Sequence, residues 1–467
     1  MKKTIWIAVL MLMAALFAGC GIQREKEENK TITITLWHYY NDEIKVQFDE
    51  LVNQFNETVG AEKGILVDAY SQGGVNELAD TLYASANKDI GSSPMPDMFS
   101  AYSDSAYRLD QLGVVASLDN YFTEEELTQY RQEFIEDGRF SDDNSLKIFP
   151  IAKSTELLYI NMTAFEKFSA ETGVTLDSLQ TWEGIASTAE KYYEWCGKSF
   201  FGIDSMANFM IIAAKQLGMD IVSVDDGKSS FDLSKEAARK IWDVYYVPYI
   251  KGYYTNSGRF RSDDVKSDLI IAFVGSNSSA SYFPKMIETG KDSGYDISSG
   301  VLPYPYFENG EKYCVQQGAG MVVTKSDARK EEACVEFLKW ITAPEQNLEF
   351  AISTSYMPVE NVALNYEVTI KGLGTQEQSD IRVQTASALY HMMDEYSIYA
   401  CKPFAQSKDI RTILDKSLMT FINTDLEELN IRMNGGEPQD ALFEEYTGEK
   451  NFEKWYFSLV NEINSLL

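Results

Sequence analysis

Between residues 31 and 102 the chain switches its apolar period again and again, and this switching restricts the fold more than any other property of the sequence. Residues 31–39 (TITITLWHY) alternate β-branched and polar side chains and end in aromatics, which predicts a strand. Ile44, Phe48, Leu51, Val52 and Phe55 then recur at helical spacing. Gly60 and Gly64 interrupt, residues 65–70 (ILVDAY) predict a second strand, and Val75, Leu78 and Leu82 mark another helix. Pro94 and Pro96 lead into a third short strand at 97–102. Strands alternating with helices over short links predict an α/β domain with a mostly parallel sheet.

The remainder extends this pattern without repeating it. Residues 146–161 (LKIFPIAKSTELLYIN) hold two apolar runs broken by Lys153, Ser154 and Thr155, which suits an extended segment crossing between two lobes. Thr181 and Ser234 are placed to cap helices. The second of these carries the stripe Trp242, Tyr245, Tyr246 and Tyr249, which reads as core before it reads as a cofactor box. Apolar strands are expected at 269–274 (LIIAFV) and 321–324 (MVVT). Ser326 is the expected cap of a helix reaching Trp340, and Thr342-Ala343-Pro344-Glu345 reads as a capping box. Beyond Glu360 the pattern is mainly helical, with a break at Gly435-Gly436. The expected organisation is two interwoven lobes, residues 31–154 plus 270–322 and residues 155–269 plus 323–467.

The first residues stand apart. Lys2 and Lys3 precede an apolar run over 5–18, too short for a membrane span of roughly 20 residues. Small residues before Cys20 complete a secretory signal over 1–19. The site resembles the bacterial lipobox, in which the Cys receives diacylglycerol; Phe17 stands where such boxes prefer Leu. That resemblance implies an exported chain lipid-anchored at Cys20 to the outer face of the cell membrane, with the charged stretch 20–30 as a tether. A plain signal peptide with a coincidental Cys would instead release the protein. Export permits disulfides among Cys196, Cys314, Cys334 and Cys401. Yet Cys334 falls at helical spacing with Phe337, Leu338 and Ile341, and mostly free, buried thiols are expected.

Charge then removes whole classes of partner. The chain has 41 Lys+Arg against 71 Asp+Glu, a net charge of -30, which opposes binding to nucleic acid or to anionic lipid by electrostatics. Two His, His38 and His391, leave almost no material for a His-rich metal site. No HExxH, GxSxG, Walker A, GxGxxG or paired CxxC motif is present. Ser85-Ala86-Asn87-Lys88 matches a Ser-x-x-Lys pattern without its companions, and Asp225-Asp226-Gly227 reads as a turn. Carboxylates are numerous enough that a glycosidase pair stays open.

The positive signal lies at strand ends. Trp37, His38, Tyr39 and Asn41 lie at the end of the first strand, Gln72 at that of the second, Tyr102 and Asp104 at that of the third, and Ser276 and Asn277 beyond the apolar run at 269–274. Ligands of open α/β sheets bind outside the carboxyl ends of strands. Aromatics mixed with amides, hydroxyls and an occasional Asp suit a neutral polyol, because rings stack on sugar C–H faces while polar groups satisfy hydroxyls.

These segments, in this order, make the chain similar to bacterial extracellular solute-binding proteins of the sugar-binding type, the group that includes maltose-binding protein. The resemblance runs through 31–37 (TITITLW), 96–99 (PDMF), 157–161 (LLYIN), 181–183 (TWE), 271–273 (IAF), 301–303 (VLP), 317–323, 333–344 (ACVEFLKWITAP) and 355–359 (SYMPV). It implies a two-lobe periplasmic-binding-protein-like α/β fold of the class II type, with a ligand cleft that closes about a hinge. It adds Lys153 and Ser154 in the crossing segment, and Gln317, Gly318 and Tyr356 late in the chain, to the ligand-binding candidates. Ser100 stands where some relatives carry Trp, which turns stacking over to Tyr39, Tyr102 or Tyr356. The implied role is a monomeric, cofactor-free, non-enzymatic carbohydrate carrier that delivers to an ABC-transporter permease. The alternatives are the same scaffold for a phosphodiester, peptide or polyamine, and an exported carbohydrate-active enzyme.

Overall fold

A computed structural model describes residues 31–140, 144–225, 228–290 and 293–467. The expected signal peptide, Cys20 and the tether lie outside the described residues, as do Asp226 and Gly227 of the expected turn. The strands that frame the molecule are β1 (Ile32–His38), β2 (Ile65–Ser71), β3 (Met98–Ala101), β4 (Glu156–Asn161), β5 (Phe201–Ile203), β6 (Ala272–Ser276), β7 (Ser299–Leu302), β8 (Tyr313–Val315), β9 (Gly320–Val323) and β10 (Ser397–Tyr399).

Two four-stranded sheets result, β9-β3-β1-β2 and β7-β4-β6-β5. In the first, β1 runs parallel to β2, from Ile32↔Ile65 to His38↔Ser71, and parallel to β3, while β9 is antiparallel to β3. In the second, β4 is antiparallel to β6 and β7, and only β5 runs parallel to β6. The expectation of mostly parallel pairing therefore holds for the first sheet and not for the second. β8 and β10 form a small parallel pair of their own.

Each sheet carries its own core. Ile34 and Leu36 of β1 bury against Phe48, Leu51, Val52 and Phe55 of the helix Asp42–Glu57, the residues whose spacing announced that helix. Phe337, Leu338 and Ile341 of the helix Ala328–Ile341 join the same cluster. The second core gathers Trp182, Phe209, Trp242, Tyr245, Tyr246, Phe273 and Trp455. The Trp242 ring stacks on Tyr246 with centroids 3.5 Å apart, so the aromatic stripe is core.

The lobe boundaries differ from the expected ones. Residues 272–276 and 299–302, expected with the first lobe, pair with β4 in the second sheet. The helices Ala328–Ile341 and Pro344–Thr354, expected with the second lobe, pack in the first core beside Met357 and Val359. The reason is physical. Strands apolar on both faces, such as β4 and β6, zip together through their backbones and carry no facing information in their sequence. From residue 407 onward the chain packs on the second core, through the helices Ser407–Asn434, Gln439–Thr447 and Glu449–Asn464.

Local caps mostly follow the sequence. Thr181 and Ser234 accept from the amides of Gly184 and Ala237. Asp327, not Ser326, caps the helix Ala328–Ile341. Thr342 spends its hydroxyl on the Leu338 carbonyl, so the expected capping box is absent, although Pro344 does open the next helix. Cys196, Cys314, Cys334 and Cys401 are free thiols; Cys314 and Cys334 are buried as expected, whereas Cys196 is exposed. Among the described residues no helix is long and apolar enough to cross a membrane.

Candidate functional site

A cavity of about 490 Å³ is lined by the turns that follow β3 of the first sheet and β5 of the second. One wall comes from the turn after β3. Tyr102 has extended backbone angles (φ -80°, ψ 161°) and precedes the helix Ser103–Asp110, so Tyr102, Ser103 and Asp104 line the cavity together. The facing wall comes from the turn after β5. Asp204 follows the strand, Ser205 caps the helix Met206–Gln216 by accepting from the Asn208 amide, and Asp204, Ala207 and Asn208 line the cavity. The helix Ser407–Asn434, the longest of the structure, adds Lys408, Arg411 and Asp415, with Tyr399, Cys401 and Phe404 just before it.

The floor is made by backbone segments passing between lobes. Ser154 and Gln317 exchange two backbone hydrogen bonds of 2.8 and 2.9 Å, and Lys153 pairs in the same way with Met357. Gly318 has φ +92°, and a Cβ there would stand 2.8 Å from the Ala152 carbonyl oxygen, so the close approach of the two strands requires glycine. Nζ of Lys153 is buried in an ion pair with Asp137 at 2.6 Å and donates to the Gly318 carbonyl at 3.2 Å. Lys153 thus fastens the crossing.

Behind Tyr102 sits a group of phenols. The Tyr39 and Tyr102 rings stack with centroids 6.2 Å apart. The Tyr356 phenol lies within electrostatic reach of both. Burial pushes all three phenols above their ordinary range, so they act as neutral donors and acceptors.

Two acids are held unusually. Burial pushes Glu156 up to about 7, against hydrogen bonds from Asn208 and Gln317 that oppose the shift. Burial likewise pushes Asp204 up to about 6, opposed by the Arg261 amide at 2.8 Å and the Arg261 guanidinium. Arg261 itself is buried and paired to Asp264. Gly275 of β6 makes room for this acid, since a Cβ there would stand 2.5 Å from Oδ2 of Asp204.

Tyr102, Asp104, Gln317 and Gly318 are therefore brought together on the cavity, with Tyr39 stacked on Tyr102; Tyr356, Lys153 and Ser154 do not line it, and the last two lie behind Gln317 and Gly318 as backbone partners of the crossing. The other candidates lie elsewhere. Trp37 pairs in register with Phe99 and packs on Leu78 and Leu82 in the core. His38 is fully buried; its Nδ1 accepts from the Tyr40 amide, and burial pushes the ring down to about 4, which keeps it neutral. Asn41 bridges strand ends by donating to the carbonyls of Tyr39 and Gly73, and the Gln72 amide extends the β1–β2 ladder to the His38 carbonyl. Ser276 caps the short turn after β6, and Asn277 donates to the Ser355 carbonyl at 2.7 Å. None of these six lines the cavity. Asp204, Asn208, Arg411 and Asp415 do line it and were not expected. A run of apolar residues closing on Asp204-Ser205, ahead of a helix, was the available signal for the first two; two charged positions four apart on a polar helix carried none for the others.

Among the described residues no group of three or more His, Cys, Asp or Glu is placed to hold a metal ion. A second cavity of about 440 Å³, at Arg131, Gln132, Tyr390 and Asp394, shares no residue with the first.

Comparison with known proteins agrees with this architecture. A family described as bacterial extracellular solute-binding protein matches residues 50–371, more than half of the 467-residue chain. The sn-glycerol-3-phosphate-binding periplasmic protein UgpB of Yersinia pestis is 23% identical over 379 residues, covering 74% of this chain and 77% of the relative. Among solved structures, UgpB from Mycobacterium tuberculosis in complex with glycerophosphocholine superposes with a TM-score of 0.65 at 17% identity, covering 94% of this chain and 100% of the other. An ABC substrate-binding protein from Listeria monocytogenes in complex with cycloalternan gives 0.65 at 16%, covering 91% and 98%. The cyclic alpha-maltosyl-1,6-maltose binding protein from Arthrobacter globiformis gives 0.62 at 16%, covering 92% and 100%.

Proposed function

The chain belongs to the bacterial extracellular solute-binding proteins, and from that premise we propose that it captures a mono- or oligosaccharide in the cavity between its lobes and hands it to an ABC-transporter permease. The observation that carries this reading is the composition of the two facing walls: Tyr102 and Asp104 on one, Asp204, Asn208, Arg411 and Asp415 on the other. A solute that touches both walls favours the closed arrangement by its differential contacts, and no bond need be made or broken.

The wall chemistry favours a neutral polyol. Tyr102 supplies a ring face, and carboxylates and amides supply hydrogen-bond partners for hydroxyls. At the two helix N-termini on the cavity, part of the capacity to cradle an anion is already used. The amides of Ser105, Ala207 and Asn208 donate to Asp104, Asp415 and Ser205. A phosphodiester solute is the second reading, favoured by Arg411, Lys402 and Lys408 at the same cavity and by the glycerol-phosphate-binding relatives.

Thermal unfolding of the mature protein across mono- and oligosaccharides, sn-glycerol 3-phosphate, glycerophosphocholine, peptides and polyamines tests both. Saturating solute raises stability by RT ln(1 + [L]/Kd). A dose-dependent rise with one sugar family, without product on standing, supports the first reading. A rise confined to the phosphate esters replaces it with the second, and sugar hydrolysis would make the protein an enzyme.

The N-terminal reading completes the proposal: Cys20 carries diacylglycerol and tethers the carrier at the outer face of the membrane. Mass spectrometry of the N-terminal peptide reads this directly. Release of a Cys20→Ala variant into the medium is the expected companion result, and release of the unaltered chain would refute the anchor.

A further inference from the structure

Glu156 is the first residue of β4, where the chain enters the second sheet, and it is 1% exposed. Its Oε1 accepts from Nδ2 of Asn208 at 2.7 Å and from Nε2 of Gln317 at 3.1 Å. Both amides line the cavity, and they arrive from different elements. An amide that gives its NH2 to a carboxylate turns its carbonyl oxygen the other way. For Asn208 that oxygen accepts from Nη2 of Arg411 on the longest helix. One hydrogen-bonded chain therefore links the crossing segment, the helix Met206–Gln216 and the guanidinium of the cavity wall. The second carboxylate oxygen, Oε2, is buried without a hydrogen-bond partner. Asp204, Arg411, Cys314 and Tyr304 are the ionisable groups that act on this site from the neighbouring elements.

We infer that Glu156 is the positioning residue of the cleft, fixing the amides of Asn208 and Gln317 so that the solute meets a guanidinium at Arg411 and a carbonyl acceptor at Gln317. This rests on the cavity being the solute site. A donor and an acceptor held by one network match the hydroxyls of a polyol, which donate and accept at once. With Glu156 removed, both amides can turn over, and Gln317 then offers NH2, a group that suits an anion. Glu156 in this way discriminates against phosphoesters without touching the solute.

The test uses Glu156→Gln, which keeps an acceptor oxygen and the volume, and Glu156→Met, which keeps only the volume. Thermal unfolding establishes that each variant is folded. Side-chain amide NMR signals of Asn208 and Gln317 are recorded without solute, and affinities are then measured for maltotriose and sn-glycerol 3-phosphate. Displaced, slowly exchanging amide signals are expected in the wild type and in Glu156→Gln, and signals of unbonded amides in Glu156→Met. Maltotriose should bind Glu156→Met about ten-fold more weakly than the wild type and sn-glycerol 3-phosphate about ten-fold more tightly, with Glu156→Gln close to the wild type for both. Wild-type amides that exchange as in an unbonded side chain overturn the inference even if Glu156→Met does not fold. Equal affinities in all three folded proteins overturn it as well, and so does a Gln variant that departs from wild type as far as Met. A wild type that binds neither probe counts against these solutes, while the amide signals still decide the role of Glu156.

Discussion

Nζ of Lys408, in the first turn of the helix Ser407–Asn434, stands 3.1 Å from Oδ1 of Asp80 on the helix Val75–Ala86, so one ion pair joins the second lobe to the first beside the cavity. The Asp80 side chain is 74% exposed, and water screens the attraction. Lys408→Ala should leave unfolding within about 0.5 kcal/mol of wild type. Solute affinity should change by no more than a few-fold, and titration calorimetry at low and high salt should show that change vanishing at high salt. A large, salt-independent loss would mean that Lys408 touches the solute itself.

Trp37 and Tyr102 both lie at the end of a strand of the same sheet, yet their substitutions should separate cleanly. Trp37→Ala removes a buried ring from the cluster with Leu78, Leu82 and Phe99, and should cost about 3–5 kcal/mol of stability. Tyr102→Ala strips the cavity wall, and should weaken solute binding by about 1–3 kcal/mol through lost apolar contact. Chemical denaturation and solute titration of the two variants side by side check the pattern.

Lys153 is 2% exposed and ion-paired with Asp137, whose side chain is 16% exposed. Lys153→Met strands that carboxylate and removes the donor to the Gly318 carbonyl, at a cost of about 2–3 kcal/mol. The double variant Lys153→Met, Asp137→Leu should recover most of the loss. Urea midpoints of the single and double variants measure it.

Three buried groups give the stability curve opposing slopes. Glu156 and Asp204 titrate near 7 and 6 in the fold, above their ordinary 4.5 and 3.8, so the folded state binds more protons than the unfolded chain. Their contribution is complete at low pH and is lost as pH rises through 6–7. His38, pushed down to about 4, acts in the opposite sense, and its contribution is lost as pH falls from 6.5 through 4. Unfolding free energies of wild type and Glu156→Gln at pH 5 and pH 8 should diverge by about 2–3 kcal/mol, the wild type losing more at the higher pH.

The four described thiols should react in order of exposure. Cys196 is open to reagent, whereas burial pushes Cys314 up to about 12 and Cys334 higher still. Cys401 lies on the cavity wall, and bound solute should protect it. Labelling kinetics followed by peptide mapping, with and without solute, reads the order; disulfide-linked peptides from freshly prepared protein would contradict it.

The first sheet was legible in the sequence because each of its early strands alternates, ends in a turn and is followed by a helix with a clear apolar stripe. β1, β2 and the helices after them fall where the periods change. The second sheet was not, since β4 and β6 are apolar on both faces and can pair with any strand of like character. The same contrast holds at the site. Strand ends pointed to the right turns, and Tyr102, one residue beyond β3, does face the cavity. Trp37 lies within β1, one step before its end, and the two-residue period turns it into the core. Arg411 and Asp415 reach the cavity only because the helix Ser407–Asn434 packs across the helix Met206–Gln216, a tertiary event without a local signature.

The antiparallel seating of β9 on β3 also dictates an order of events during synthesis. Residues 320–323 leave the ribosome long after 98–101, and until they arrive the outer edge of β3 has no partner. The first sheet cannot be finished until every strand of the second has been made, because the chain returns to it only after residues 299–302. A chain cut short before Gly320 would hold a bare, apolar strand edge open to other copies of itself.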